Sequence, residues 1–326
     1  RTVLVDNGTA VIDAKLSGAI SGTGGGLTKT NTGTLALTAN NNYTGATLIS
    51  DGSLQLGAGS TTGALTGTAS VTNNANLTVN RSNAFTQATD LNGKVISGTG
   101  SFTQVGSGTT TLSLVNTYTG ATNVNAGKLL INGSTSSSSA VTVANGATLG
   151  GSGAIGGSVT VQTGGTFSPG SSIESIATGN LALLASATFA QEIDKSAAMG
   201  LSGDLTATTG SLSITSGAIL TLTELGTSGA WGVGDTITLI GYSTGTWDGG
   251  LFTYLGNTLN DDSTFNFSGI DWTFDYNDTT FGDNYQSDLS GFTGSARYVT
   301  MTAVPEPRAA LLGGIGLLLL LRRRRH

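Results

Sequence analysis

Two consecutive segments of the chain, AVTVANGATLGGSGAIGG (140–157) and SVTVQTGGTFSPGSSIES (158–175), align without a gap over their whole length. Similar residues return to the same positions: Val141 and Val159, Val143 and Val161, Gly146 and Gly164, Leu149 and Phe167, Ile155 and Ile173. Each unit is a strand, a turn and a second alternating strand, and comparable turns lie near Gly52, Asn74, Gly127 and Gly217. The spacing is nearly constant from Gly127 to Gly146 and from Gly146 to Gly164. This period predicts a solenoid, in which each coil adds about 4.8 Å along the axis.

The turns alone are compatible with a second topology. Asp51-Gly52 and Asn145-Gly146 are strong signals for two-residue β-hairpins, because both positions tolerate positive φ. One turn per unit at nearly constant spacing favours stacked coils, in which turn lies on turn. We therefore expect parallel strands over residues 21–175, with these side chains buried: Leu54, Leu56, Leu129, Ile131, Val141, Val143, Val159 and Val161.

A longer repeat precedes these units. Residues 21–57 read SGTGGGLTKTNTGTLALTANNNYTGATLISDGSLQLG, and residues 97–133 read SGTGSFTQVGSGTTTLSLVNTYTGATNVNAGKLLING. The Tyr-Thr-Gly-Ala-Thr motif starts at Tyr43 and again at Tyr118. Both segments resemble the autotransporter-associated β-strand repeat, also called the passenger-associated transport repeat, of secreted bacterial surface proteins. The resemblance implies a right-handed parallel β-helix (β-solenoid).

Composition changes after residue 179. Fourteen of the 20 aromatic residues lie between Trp231 and Tyr298, and no Lys or Arg lies between Lys195 and Arg297. Alternation such as Leu220-Thr-Leu222 still indicates β structure. We expect β-helix repeats over 1–179 and, over 180–303, an aromatic-rich continuation with wider coils and a terminal cap. Residues 304–326 form a separate tail.

The tail reads VPEPRAALLGGIGLLLLLRRRRH. Its apolar run from Ala309 to Leu321 measures about 20 Å as a helix, against roughly 30 Å of membrane hydrocarbon. The run has no polar residue, so it needs lipid or a protein groove. We expect a short C-terminal transmembrane helix, including Ala309, Leu312, Ile315, Leu318 and Leu321, with Arg322, Arg323, Arg324 and Arg325 on the cytoplasmic side.

Val304, Pro305, Glu306 and Pro307, followed by the apolar run and the arginines, resemble the PEP-CTERM sorting signal of Gram-negative envelope and biofilm bacteria. The resemblance implies that an exosortase-type protease recognises the motif while the run holds the precursor in the inner membrane and the arginines stop translocation. The expected destination is the cell surface or the extracellular space. The resemblance implies routing and no activity.

Composition excludes several kinds of chemistry. Cysteine is absent and the only histidine is His326, so residues 1–325 offer no Ser-His-Asp, Cys-His or His-ligated zinc site. Residues 1–303 contain 8 Lys and Arg against 18 Asp and Glu, a net charge of −10, which makes nucleic acid an unsuitable partner. The chain starts RTVLVDNG without Met, and we expect an upstream signal peptide.

Aspartates crowd one stretch of the C-terminal part. Asp275, Asn277 and Asp278 are a weak calcium candidate, because they bring oxygen ligands close together without an EF-hand loop or a nine-residue calcium repeat. The favoured alternative is a solvated surface on which aspartates form turns. We predict no metal and no cofactor.

Two classes of function remain. The first is a non-catalytic structural or adhesive envelope protein. The alternative is a β-helix that binds or degrades envelope polysaccharide, for which Trp231, Trp247 and Trp272 are sugar-stacking candidates, although such residues more often form core or cap. Catalysis is disfavoured: Asp261 and Asp262 would point to opposite faces of a strand, and the acidic stretch lacks a Lys or Arg base.

Gly22-Thr-Gly24-Gly-Gly26 resembles a phosphate loop only superficially and is interpreted as a coil corner.

Overall fold

The computed structural model describes residues 1–170, 172–194, 202–226, 231–243, 247–282 and 296–305. Nearly all regular structure in these ranges is β, and the one helix found there has four residues. None of the described helical structure is long and apolar enough to cross a membrane. The predicted transmembrane segment lies outside the described residues.

The strands are short, as expected for a chain that turns every few residues. In chain order the elements are β1 (Thr2–Leu4), β2 (Ala14–Leu16), β3 (Leu27–Thr30), β4 (Thr34–Leu37), β5 (Asn40–Asn41), β6 (Thr47–Ile49), β7 (Ser53–Ser60), β8 (Ala64–Leu65), β9 (Val71–Asn73), β10 (Asn76–Arg81), β11 (Phe85–Thr86), α1 (Gln87–Asp90), β12 (Ile96–Ser97), β13 (Ser101–Gln104), β14 (Thr109–Leu112), β15 (Thr122–Val124), β16 (Lys128–Ile131) and β17 (Ser134–Thr135). They continue with β18 (Val141–Val143), β19 (Thr148–Gly151), β20 (Ala154–Ile155), β21 (Val159–Val161), β22 (Thr166–Pro169), β23 (Ser175–Thr178), β24 (Leu181–Leu183), β25 (Thr188–Ile193), β26 (Leu205–Thr208), β27 (Leu212–Ile214), β28 (Ala218–Glu224), β29 (Thr236–Tyr242), β30 (Phe252–Tyr254), β31 (Asn257–Thr258), β32 (Ser263–Phe267), β33 (Ile270–Asp278) and β34 (Arg297–Ala303).

Up to β30, successive strands belong to different sheets, and each strand pairs with strands one coil away. Sheet 1 is β1-β3-β6-β9-β12, and sheet 2 is β2-β4-β7-β10-β13-β15-β18-β21-β24-β27. Sheet 3 is β11-β14-β16-β19-β22-β25-β28-β30-β31, sheet 4 is β17-β20-β23-β26-β29-β34-β33-β32, and β5-β8 form a small fifth sheet. The arrangement is consistent with a β-helix.

Parallel pairing over residues 21–175 is confirmed. Val141 pairs with Val159 and Val143 with Val161 in one parallel register, as the ungapped alignment predicts. The alternative hairpins are not formed, since β6 and β7 lie in different sheets, as do β18 and β19. All eight side chains predicted to be buried are at most 1% exposed.

Like side chains lie on like side chains in the core. Phe167 stacks on Phe189 with ring centroids 6.1 Å apart, and Phe189 stacks on Phe252 at 5.8 Å. The three residues come from β22, β25 and β30 of sheet 3. Such stacks bury apolar surface continuously along the axis, which a single coil could not do alone.

The corner between sheets 2 and 3 repeats one turn on successive coils. Gly146, Gly164 and Gly217 have φ of 76°, 76° and 92°, and Ser186 occupies the equivalent place with φ 61°. Gly146 N donates to Gly164 O at 2.9 Å, Gly164 N to Ser186 O at 3.0 Å and Ser186 N to Gly217 O at 2.9 Å. The recurring Asn-Gly and Thr-Gly pairs therefore form a hydrogen-bonded column of turns.

One part of the predicted register is wrong. Ile155 pairs with Thr178 and not with Ile173. The connection from β22, which ends at Pro169, to β23, which starts at Ser175, is longer than the connection from β19 to β20 in the preceding coil. An ungapped alignment could not detect this insertion, because Ile173 falls on an apolar position by coincidence.

Pairing changes towards the C-terminus. Parallel register continues past residue 179, with Phe189 on Leu220 and Ile219 on Thr253, and these coils are longer than those of the preceding repeats. Beyond β30 the pairs are antiparallel: β30 with β31, and β29 with β34, β34 with β33 and β33 with β32.

Asp261 and Asp262 lie in the turn before β32, with φ 58° at Asp262, so the expectation that they lie in a strand is wrong.

Candidate functional site

The repeated Tyr-Thr-Gly-Ala-Thr motif forms a buried hydroxyl network. Tyr43 Oη lies 2.5 Å from Thr47 Oγ1, which lies 2.8 Å from Thr68 Oγ1 in the next coil. In the second repeat, Tyr118 Oη lies 2.7 Å from Thr122 Oγ1. Burial raises the pKa of both tyrosines to about 12. The tyrosine and the last threonine of the motif therefore join coils inside the core, whereas the first threonine, Thr44 or Thr119, is exposed.

Thr122 completes the second network in the same way. Its Oγ1 atom lies 3.0 Å from Ser139 Oγ in the following coil, and both residues are fully buried. Ser139 therefore takes the place that Thr68 occupies in the first network. The asparagine two residues before each tyrosine also makes the same contact in both repeats. Asn41 Oδ1 accepts a hydrogen bond from Ile20 N, and Asn116 Oδ1 accepts one from Ile96 N, each at 2.9 Å.

At a second repeated position, a side chain donates hydrogen bonds to the backbone carbonyl groups of a coil corner. The Nζ atom of buried Lys29 donates to the carbonyl oxygens of Thr30 (2.7 Å), Asn31 (2.6 Å) and Asp51 (3.2 Å). Burial lowers the pKa of this amine. Gln104, the counterpart of Lys29, donates from Nε2 to Gly106 O at 2.8 Å. Both side chains replace water at carbonyl groups that the corner turns inward.

The glycine-rich segment from Gly22 is a coil corner, as predicted. Thr44 N donates to Gly22 O at 3.1 Å and Gly45 N to Gly25 O at 2.9 Å. A Cβ atom on Gly45 would lie 2.5 Å from the carbonyl carbon of Gly25, so the two backbones approach more closely than a side chain permits. Glycine therefore permits the close approach of neighbouring coils at this corner.

The two repeats lie at different angular positions. In the first repeat β3 and β4 belong to sheets 1 and 2, whereas their counterparts β13 and β14 belong to sheets 2 and 3. One coil passes through β9, β10 and β11 in sheets 1, 2 and 3, so the second repeat is displaced by one sheet around the axis. The repeat sequence therefore predicts that a coil forms, but it does not determine which sheets its strands join.

The displacement occurs next to an ion pair, between buried Arg81 and the partly exposed Asp90, that the sequence did not reveal. Arg81 is 5% exposed, and its Nη1 atom lies 3.3 Å from Asp90 Oδ1. Asp90 Oδ2 also accepts from Thr86 N at 2.8 Å, and the guanidinium lies 5.7 Å from the Phe85 ring centroid. The only sequence signal was an arginine at the end of an otherwise uncharged strand.

The calcium candidates lie at the antiparallel end, where each makes a different hydrogen bond. Asp275 Oδ1 accepts from Asn277 N at 2.7 Å, and Asp278 Oδ1 accepts from Thr280 N at 2.9 Å. Asn277 Oδ1 accepts from Tyr242 Oη at 3.1 Å. Burial raises the pKa of Asp275, and neighbouring aspartates raise it further. The described residues contain no group of three or more His, Cys, Asp or Glu side chains placed to hold a metal, and calcium binding stays a prediction.

The three tryptophans pack within the C-terminal end. Trp272 is fully buried and meets Trp231 edge to face at 5.3 Å between centroids. Trp247 stacks on Tyr276 at 4.7 Å and donates from Nε1 to Gly250 O at 2.7 Å. At least one face or edge of each ring is therefore occupied, which is the arrangement expected of core or cap residues.

The predicted sorting motif begins where the last strand ends. Val304 N donates to Asp271 O at 2.9 Å, and Val304 and Pro305 are the last described residues. The remaining site residues of the tail, Glu306, Pro307, Ala309, Leu312, Ile315, Leu318, Leu321 and Arg322 to Arg325, lie outside the described residues.

Comparison with known proteins identifies the repeated segments. The Passenger-associated-transport-repeat family matches residues 27–56 and 102–131, which confirms the predicted resemblance for these two segments. The chain is also 52% identical over 77 residues to the adhesin BmaC autotransporter of Brucella suis biovar 1 (strain 1330). The match covers 23% of this chain and 2% of the adhesin.

Proposed function

We propose that the chain is an exported, non-catalytic surface or extracellular-matrix protein with a structural or adhesive role. The carrying observation is the similarity to an autotransporter adhesin, together with two passenger-associated transport repeats. The repeats supply buried networks and corners, so their similarity supports an adhesin-like scaffold and gives no ligand.

The scaffold that we propose is a right-handed parallel β-helix. Parallel strands connected through a crossover in one sheet are right-handed in about 98% of cases, because strand twist directs the chain that way. The ordered passage of the chain from sheet to sheet supports this architecture. Outward side chains such as Thr103, Thr142 and Thr160 present an uncharged polar surface along sheet 2.

Features of the acidic end support a non-catalytic role. Glycoside hydrolysis needs two carboxyl groups held on either side of a sugar. Asp261 Oδ1 instead accepts from Tyr276 N at 3.0 Å, and Asp262 lies in the same turn with positive φ. These aspartates therefore form and stabilise the turn before β32. Polysaccharide remains a proposed extracellular partner, bound without being cleaved.

The tail is proposed to route the protein. Val304, Pro305, Glu306 and Pro307 would be recognised by an exosortase-type protease while the apolar run holds the precursor in the inner membrane of a Gram-negative bacterium. The position of Val304, directly after β34, supports this proposal because the motif follows the last paired strand. Processing would then leave the protein at the cell surface or outside the cell.

Intact-mass measurement of the mature protein from an exosortase-bearing host tests the routing. We expect loss of Arg322 to His326 from the wild type and accumulation of uncleaved membrane precursor for Glu306→Ala. Neutral residues at Arg322 to Arg325 should allow escape or mixed orientation, because each Arg costs at least about 2.5 kcal/mol at the bilayer centre. Mature wild type that keeps its arginines, with an identical Glu306→Ala variant, would show that the tail is a plain anchor.

Surface labelling and attachment assays on a deletion strain test the adhesive role. Complementation with the full chain should restore both labelling and attachment, whereas Glu306→Ala should restore neither at the cell surface. Depolymerisation of envelope polysaccharide by the purified chain would instead establish the enzymatic alternative.

A further inference from the structure

The chain leaves its last strand at an end of sheet 4 where two turns meet. Ala303 is the last residue of β34, and its carbonyl oxygen accepts from Gly234 N, in the turn before β29, at 2.8 Å. Val304 N donates to Asp271 O at 2.9 Å, just after the turn that joins β32 to β33. The paired part of the chain therefore ends beside these two turns.

Exposed apolar side chains lie around this end of β34. Val233, in the turn before β29, is 70% exposed. Leu225 is 43% exposed and directly follows Glu224, whose carboxylate accepts a hydrogen bond from Ser268 Oγ in the turn between β32 and β33. Ile270, the first residue of β33, is partly exposed. We call Leu225, Val233 and Ile270 the exit surface.

The turns beside the exit surface carry little bulk. A Cβ atom at Gly234 or at Gly269 would meet nothing within 4 Å. Ser268 and Gly269 have φ of 56° and 78°, so the chain reverses between β32 and β33 within two small residues. Both turns therefore border open space in the part of the chain that the structure describes.

The predicted membrane segment starts only a few residues after the exit surface. Four residues, 305–308, separate Val304 from Ala309, the first residue of the apolar run. The five steps from Val304 to Ala309 reach at most about 18 Å even in a fully extended chain. The headgroup layer of one leaflet occupies about 5–8 Å of this distance. A run inserted in a bilayer therefore keeps the end of β34 beside the lipid headgroups.

The charged groups near the exit surface indicate which lipid would suit it. Asp235 and Asp271 are partly exposed. Gly232 N donates to Asp235 Oδ2 at 2.6 Å, which fixes this carboxylate in the turn before β29. Asn266 Nδ2 donates to Asp271 Oδ1 at 2.9 Å. Carboxylates are repelled by an anionic lipid surface and attracted by the ammonium groups of zwitterionic lipids.

We propose that the exit surface contacts the zwitterionic lipid interface when the apolar run of the tail is inserted, so that the C-terminal end of the stack lies against the bilayer. This contact rests on the membrane anchoring proposed above, and anchoring alone does not require it. Val and Leu side chains at the interface lose contact with water, which stabilises the contact in proportion to the apolar area buried. The contact keeps residues 305–307 next to the bilayer before processing.

Fluorescence quenching of the full chain in phosphatidylcholine nanodiscs tests the contact. The chain has no cysteine, so a single label can be placed at Val233→Cys or at Val115→Cys. Val115 is a matched control, because it is 66% exposed but follows β14, six coil steps or roughly 29 Å before β30. Quenchers attached to the headgroups should quench the Val233 label at least about twofold more than the Val115 label. A third label, at Leu318→Cys, reports insertion of the tail.

Two further changes test the chemistry of the contact. Leu225→Ser should weaken quenching of the Val233 label, because it removes apolar area from the exit surface. Leu4→Ser, at a leucine that is 66% exposed on β1, should leave this quenching unchanged. Anionic phosphatidylglycerol added to the nanodiscs should weaken the quenching at low salt, and added salt should restore it.

The labels separate failure of the contact from failure of the anchor. Equal quenching of the Val233 and Val115 labels, with the Leu318 label in the hydrocarbon, would overturn the contact and leave the anchor in place. A Leu318 label in water would overturn both. Quenching of the Val233 label that increases with anionic lipid would overturn the contact with zwitterionic lipid.

Discussion

The parallel stack and the antiparallel C-terminal end use different means to bury apolar surface. In the stack, residues 27–222, small in-register residues such as Val141 and Val159 lie over one another, and hydroxyl networks join coils. At the end, residues 252–304, aromatic rings meet mostly edge to face, as Phe274 does with Phe252 and Tyr276. A stack leaves strand edges and core open at its last coil, and antiparallel strands with large rings cover them.

The two regions also differ in charge. Residues 1–128 contain six Lys and Arg and four Asp and Glu, whereas residues 129–303 contain two and fourteen. Aspartates at the end form turns, as Asp275 and Asp278 do, while the stack forms its corners mainly with glycine. The stack therefore depends on periodic register and the end on individual large side chains.

A charge inside the stack should have the largest effect. Val143 is fully buried between β15 and β21, so Val143→Asp places an unpaired carboxylate in the core. We expect the free energy of unfolding to fall by about 3–5 kcal/mol, as for other uncompensated buried charges. Thr142→Asp, on the outward position of the same strand, should cost well under about 1 kcal/mol. Equal shifts of the urea midpoint for both variants would contradict the inward and outward assignment.

Loss of one ring should loosen the end without loosening the stack. Phe274 is fully buried, and Phe274→Ala should cost about 3–4 kcal/mol through lost contacts and a cavity. Because stability in a stacked protein is partly local, we expect faster hydrogen exchange in 252–282 and 297–303 and no change in 27–131. Phe281, 56% exposed, offers a control, and Phe281→Ala should leave both regions near wild type. Uniform acceleration over the whole chain would show that the two regions unfold as one unit.

Each residue of the hydroxyl networks should contribute less to the free energy of unfolding than Val143 or Phe274 does. Thr122→Val removes the hydroxyl group that contacts both the buried Tyr118 hydroxyl and Ser139, which should cost about 1–3 kcal/mol, and Tyr118→Phe should cost about 1 kcal/mol. A double-mutant cycle measured by denaturant unfolding should show coupling, because the double variant removes both partners together. Additive losses would mean that the network contributes no more than packing.

The same tyrosine should make the stack sensitive to alkali. The pKa of Tyr118 is raised to about 12 by burial, so the folded state retains the proton above the ordinary value of 10.0. Stability from this group is complete below pH 10 and is lost as pH rises from about 10 to about 12. Tyr118→Phe should flatten that part of the stability profile. An unchanged profile would place alkaline unfolding elsewhere, such as at the C-terminal tyrosines.

Turn residues in the corner column should give the smallest effects, with opposite signs. A Cβ atom at Gly146 meets nothing within 4 Å, so Gly146→Ala tests backbone strain alone and should cost about 1 kcal/mol. Ser186 already has positive φ in the same column, and Ser186→Gly should stabilise by up to about 1 kcal/mol. Thermal unfolding would distinguish the signs, and destabilisation by Ser186→Gly would contradict the strain argument.

Periodic features were predictable from the sequence. Val141, Val143 and their partners were found because inward positions repeat at a fixed distance, and Leu54 or Leu129 because a long motif recurs. The insertion before β23 was missed because Ile173 mimics the expected apolar position. The displacement of the second repeat by one sheet could not be foreseen either, since every face of the core accepts the same apolar pattern.

Buried charges were the least predictable feature. Nothing in the sequence around Asp204 or Arg81 distinguishes them from surface residues, because their burial depends on backbone groups far away in the chain. The aromatic composition indicated a different C-terminal region, yet the order β29-β34-β33-β32 depends on long-range pairing that composition does not encode. The sorting motif and the calcium candidate stay predictions.

A single distance along the axis tests stacking most directly. Thr103 and Ser213 occupy outward positions of sheet 2, connected through the register Thr103, Asn123, Thr142, Thr160, Ala182 and Ser213, which is five coil steps. The chain has no cysteine, so Thr103→Cys/Ser213→Cys would carry spin labels at these sites only. Pulsed electron paramagnetic resonance should give one distance near roughly 24 Å, five steps of about 4.8 Å. A distribution centred below about 15 Å or above about 35 Å would contradict continuous parallel stacking from β13 to β27.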